Sequence, residues 1–128
     1  MTNRPFREIL AAKQTPGEPR VRWWQNDYFD LFVWFEPGEE IWGFQLCYDR
    51  AYNEHALTWR REFGTVSHHA VDGSGGRWGM GTPILRAAKG SLLPGVVEHF
   101  ERDAGTLPDE CRTLIARVLS SCMVAKAV

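Results

Sequence analysis

The chain is poor in the features that usually mark chemistry. Its 128 residues contain three cysteines, Cys47, Cys111 and Cys122, an odd number with no CxxC spacing. Cys111 and Cys122 fall on one predicted helix, about 16 Å apart, beyond the roughly 7 Å that a disulfide spans. All three therefore read as small core residues in a reducing compartment. No apolar run approaches the ~20 residues of a membrane span. The first ten residues carry Arg4, Arg7 and Glu8 and lack the apolar centre of a signal peptide. Cytoplasmic residence and no membrane partner are the expectation. A net charge of −1 provides no broad field for polyanions, which disfavours nucleic acid as a partner. No GxSxG, GxGxxG, P-loop, HxH or HxxxH pattern is present, so no cofactor and no metal are expected.

Aromatic residues are what the chain does have, and they are concentrated. Thirteen of the sixteen lie between Trp23 and Phe63. Aromatic and β-branched side chains at that density favour a pleated, buried surface. Strands are predicted near 21–26, 28–35, 41–49, 55–60 and 65–71, with a short one near 83–86. Short turns between successive strands leave no room for crossovers, so the sheet should be antiparallel.

The tail reads as two helices. One covers about Leu93 to Asp103, with Gly105 ending it. The second opens at Leu107-Pro108-Asp109-Glu110 with Thr106 as N-cap. Its apolar stripe is Cys111, Leu114, Ile115, Val118, Leu119, Cys122 and Met123. The predicted class is α+β: a curved antiparallel sheet of five to seven strands with two C-terminal helices packed on one face. Residues 1–20 are read as an irregular arm and 21–128 as a single domain.

Alternation along the strands sorts side chains onto two faces. If the turn after Phe35 is Pro37-Gly38, Val33 faces Trp42. If it runs from Pro37 to Glu40, Val33 faces Phe44. Both even loops put Phe29, Leu31, Val33, Phe35, Trp42, Phe44, Leu46 and Tyr48 on a first, purely apolar face, with Leu57 and Trp59 joining it. The second face is mixed and holds Tyr28, Asp30, Phe32, Trp34, Ile41, Gly43, Gln45, Cys47, Ala56, Thr58 and Arg60. Two helices and a short arm are too little to cover both faces. The second face should then curl, meet a second subunit as a homodimer, or line a pocket.

The candidate ligand-binding residues follow from that face. Asp30, Gln45, Thr58 and Arg60 form a polar cluster bordered by rings, and His69 joins it beside Thr58. A structural Asp30–Arg60 ion pair is the plainer alternative. His68 and His69 are adjacent on a strand, point to opposite faces and cannot grip one ion together. The glycine-rich run 72–81 precedes an extended Pro83-Ile84-Leu85 rather than a helix, so it reads as a hairpin loop and not a phosphate cradle. Arg77 and Trp78 at its tip are candidates to close over a ligand. Arg20 and Arg22 beside Trp23-Trp24 have the basic and aromatic mix of single-strand binders, without the net charge to support it.

The blocks Trp34-Phe35-Glu36, Gly43-Phe44-Gln45-Leu46-Cys47-Tyr48-Asp49, Ala56-Leu57-Thr58-Trp59-Arg60, Ser67-His68-His69 and Thr82-Pro83-Ile84-Leu85 resemble a family of short uncharacterised bacterial proteins. The resemblance implies a small bacterial cytoplasmic single-domain protein and carries over no catalytic or binding residue. Two function classes stay open. The preferred one is a non-enzymatic module that binds a small molecule or a protein partner on the second face. The other is a hydrolase-like enzyme in which His69 and Asp30 or a glutamate act as acid and base.

Overall fold

The computed structural model describes residues 5–50, 54–62, 66–71, 85–87 and 95–127. Seven strands form one curved sheet: β1 (Arg7–Ile9), β2 (Arg20–Gln25), β3 (Phe29–Phe35), β4 (Ile41–Tyr48), β5 (His55–Arg60), β6 (Val66–Val71) and β7 (Leu85–Ala87). Their order in the sheet is their order in the chain, and every neighbouring pair is antiparallel. Two helices follow, α1 (Val96–Asp103) and α2 (Asp109–Ala127), joined through a 3-10 turn at Ala104–Thr106.

The N-terminal arm is not irregular throughout. Residues 7–9 add a strand to the sheet edge, and Arg20 already belongs to β2. Phe6 anchors the arm: it is buried, stacks on Phe29 at 5.3 Å and meets Phe100 edge-on at 5.8 Å. Its N–H donates to Asp103 O. Thr106 does not cap α2. Its Oγ1 donates instead to Phe6 O at 2.6 Å, tying the arm to the junction between the helices. Asp109 and Glu110 in the first turn of α2 suit the positive end of the helix dipole.

The turn between β3 and β4 is the longer of the two alternatives, with Val33 opposite Phe44 and Leu31 opposite Leu46. Glu39, not Gly38, takes the left-handed position, at φ 71°. The Glu36 N–H bonds to Glu40 O, and the Glu39 N–H to Glu36 O. A bulge follows. Trp34 pairs with Gly43 but Phe35 pairs with Ile41, leaving Trp42 as the extra residue. The bulge reverses two assignments: Ile41 is 1% exposed and joins the core, while Trp42 packs against Trp34 on the second face. Tyr28 also changes sides. It precedes β3 and stacks on His99 and Tyr48.

Face one carries Phe29, Leu31, Val33, Phe44, Leu46 and Leu57. They form one core with Val96 and Phe100 of α1 and Cys111, Leu114, Ile115, Val118 and Leu119 of α2. The helical residues recur at i, i+3 and i+4, which aligns them along one stripe. The side chains of Cys122 and Met123 lie outside the described residues.

Candidate functional site

Asp30 is buried, at 3% exposure, but Arg60 is not its partner. Its row across the sheet runs through Gln25, Cys47 and Ala56. Arg60 sits two strands away and four residues further along β5, about 13 Å down the strand. The carboxylate is satisfied locally. Oδ1 accepts from Trp23 Nε1 at 2.9 Å and Gln25 Nε2 at 2.8 Å. Oδ2 lies 3.1 Å from Arg50 Nε, an ion pair rather than an aligned hydrogen bond. Arg50 also donates through Nη1 to Asn26 O at 2.6 Å. A carboxylate with these contacts is a structural group with little capacity left for a ligand.

The remaining predicted residues separate into pairs. Gln45 Nε2 donates to Thr58 Oγ1 at 2.7 Å, and the two are direct cross-strand partners. Arg60 is exposed and lies over the Trp42 ring at 4.9 Å. Ser67, not His69, faces Thr58. His69 is in register with Ala56, and its side chain lies outside the described residues, as do Arg77 and Trp78. The structure thus joins Gln45 with Thr58 and keeps Asp30 apart from Arg60.

The organised feature of face two is a ladder of rings across three strands. Trp23 stacks on Phe32 at 5.4 Å, Phe32 on Trp34 at 6.3 Å, and Trp34 meets Trp42 edge-on at 6.4 Å. The Arg60 guanidinium ends the row. Beside this row Gly43 lets the β5 backbone lie close to β4, because a Cβ there would sit 2.7 Å from Trp59 O. Phe32 is buried, whereas Trp23, Trp34 and Trp42 are half-buried.

A second cluster, missed from the sequence, lies at one end of face one. Tyr48, with no exposed surface, shares a 2.6 Å hydrogen bond with His68 Nε2. His55 stacks near both, with centroids 5.6 Å from Tyr48 and 5.3 Å from His68. Tyr28 continues the row to Tyr48 at 6.4 Å and to His99 at 4.1 Å. His99 Nε2 in turn lies 3.3 Å from buried Asp103 Oδ2, which also accepts from Asn26 Nδ2 at 2.8 Å. Burial holds the His99 imidazole below its usual proton affinity, and Arg102 lowers it further against the upward pull of Asp103. Burial, with Asp49 nearby, raises the Tyr28 phenol. The signal was present in the register: Tyr48 pairs with His55, and Leu57 with His68, which puts all three rings on the apolar side. Reading Tyr48 as plain core concealed it.

Among the described residues no group of three or more His, Cys, Asp or Glu is placed to hold a metal. No described helix is long and apolar enough to cross a membrane. An open depression of about 380 Å³ lies between β4 and α2, lined by Ile41, Leu114, Arg61, Arg117, Asp109, Glu110 and Thr113. Its charges are mixed, and Asp109 is already engaged with Arg112 at 2.6 Å. No protein-family model, curated protein or solved structure matches the chain.

Proposed function

We propose that the protein is a non-enzymatic binding module, holding a planar, negatively charged small molecule on the aromatic ladder of face two. The observation that carries this reading is the row Trp34, Trp42 and Arg60, two half-buried indoles ending at an exposed guanidinium. Indole faces offer stacking area, and a guanidinium supplies a charged, planar donor fork. Asp30 supports the ladder from beneath through Trp23 and makes no ligand contact. The hydrolase alternative has less support from Asp30 and the turn glutamates. Asp30 is committed to Arg50, three strands from His69, and Glu36, Glu39 and Glu40 lie at the opposite end of the strands.

A bacterial origin and cytoplasmic residence belong to the same proposal. The second fits buried, unbridged Cys47 and Cys111. A homodimer has weaker support, because Leu10 is the one large apolar side chain exposed among the described residues.

Saturation-transfer NMR with benzoate, salicylate and indole-3-acetate tests the proposal. At least one probe should bind, and Trp42→Ala and Arg60→Ala should each weaken it about tenfold or more. No binding at millimolar probe, or binding unchanged in both variants, refutes it.

A further inference from the structure

We infer that Thr58 makes the aromatic row selective: the protein prefers heteroaromatic acids, whose ring nitrogen or carbonyl accepts from the Thr58 hydroxyl, to carbocyclic acids of the same shape. This selection rests on the binding site proposed above and names its ligand class more closely. Two neighbouring cross-strand rows define the geometry. Trp34, Gly43 and Arg60 pair in one, and Phe32, Gln45 and Thr58 in the next. Thr58 and Arg60 are two residues apart on β5, so they share face two with Cα atoms about 7 Å apart. A planar acid that lies on Trp34 and meets Arg60 therefore has the Thr58 side chain along its edge. Ser67, opposite Thr58 on β6, is exposed, so this row reaches solvent.

The Thr58 hydroxyl is held in one sense. Gln45 is 3% exposed and donates through Nε2 to Thr58 Oγ1 at 2.7 Å. The oxygen is thus the acceptor in that bond, and the hydroxyl proton is directed away from Gln45. Among the described residues no acceptor meets that proton. Thr58 is β-branched, which limits its side-chain rotation, and half-buried, so the donor is both fixed and reachable.

A carbocyclic ring laid along this edge displaces water from the hydroxyl and leaves its proton unpaired, which opposes binding. A ring nitrogen or carbonyl at the same place accepts the proton and removes that cost. Heteroaromatic rings are also better hydrated than carbocyclic ones, so a site without the donor favours the carbocyclic acid. A site built to hydrogen-bond one atom discriminates against the analogue that lacks it. Arg60 attracts both kinds of acid equally through their carboxylates, and Thr58 alone separates them.

Dissociation constants from ligand-observed NMR titration at neutral pH test this on the intact chain. The probes are two shape-matched pairs, benzoate with nicotinate and 2-naphthoate with quinoline-6-carboxylate. In at least one pair the heteroaromatic acid should bind about fivefold tighter. Thr58→Val keeps the shape and removes the hydroxyl, so it should bring that pair within about twofold, whereas Thr58→Ser should keep the preference. Arg60→Ala should weaken both members of the pair alike. Carbocyclic acids that bind as tightly as their partners overturn the selection and leave the aromatic row standing. A preference that persists in Thr58→Val also overturns it. No binding by any of the four overturns the selection and the aromatic row together. Should Thr58→Val fail to fold, Thr58→Ala replaces it, with the same outcomes.

Discussion

Adjacent residues of β4 display how differently the two faces of this sheet are built. Phe44 points into face one, is fully buried and stacks at 5.8 Å on Trp59. Gly43 belongs to face two, where no room exists for even a methyl group. Face one is held by volume, with helices α1 and α2 filling the space above a continuous apolar surface. Face two is held by pairing, with Asp30, Gln45, Thr58 and Arg50 satisfying one another between rings. The two faces therefore respond to opposite kinds of change, since one fails when atoms are removed and the other when atoms are added or partners deleted.

The largest expected effect is on face one. Phe44→Ala should cost about 3–5 kcal/mol in a urea melt, the usual range for emptying a buried aromatic site. A loss below 1 kcal/mol would mean that the helices do not seal that core. Gly43→Ala should follow at about 1–3 kcal/mol, because the obstructing atom is a backbone carbonyl that cannot swing aside. A neutral result would show that β4 and β5 are further apart than the register implies.

Smaller effects come from pH. Burial raises the Cys111 thiol from 9.0 to about 11. The unfolded chain ionises first as pH rises, so stability should decline between pH 9 and 11, by about 2 kcal/mol at most. Cys111→Ala should flatten that slope. His99 works in the acid range, since its folded proton affinity lies below the unfolded value of 6.5. Its neutral form supports the fold above that pH, and the support fades as pH falls through it. His99→Gln should remove this share of the acid sensitivity. The smallest change concerns Glu39. Its left-handed backbone suits glycine, and the exposed Arg20–Glu39 pair at 2.8 Å contributes little. Glu39→Gly should raise stability by about 0.5–1 kcal/mol, measured by thermal melting.

Alternation was enough to sort the strands in the sequence. Val33, Phe44, Leu46 and Leu57 share a face because their period is two, and the stripe from Cys111 to Leu119 repeats at helical spacing. Ile41 and Trp42 were misplaced because the bulge inserts one residue and inverts the assignments between it and the turn, leaving Gly43 to Tyr48 on their expected faces, and no residue type announces it. The candidate site failed for a related reason. Two arginines near one end of a strand look equivalent as text, and only the register shows that Arg50 returns to Asp30 while Arg60 lies four residues along β5. Likewise, His68 reads as an isolated strand residue until its pairing with Leu57 brings it over Tyr48.

Two double-mutant cycles, measured by urea unfolding, test the central contrast most directly. One combines Asp30→Asn with Arg50→Met and the other combines Asp30→Asn with Arg60→Met. Pairing within face two predicts that either single change in the first cycle costs about 2–4 kcal/mol. The double variant should recover part of that loss, leaving a coupling above about 1 kcal/mol. The second cycle should be additive within about 0.5 kcal/mol, with Arg60→Met nearly neutral. Coupling between Asp30 and Arg60, with none between Asp30 and Arg50, would contradict the account.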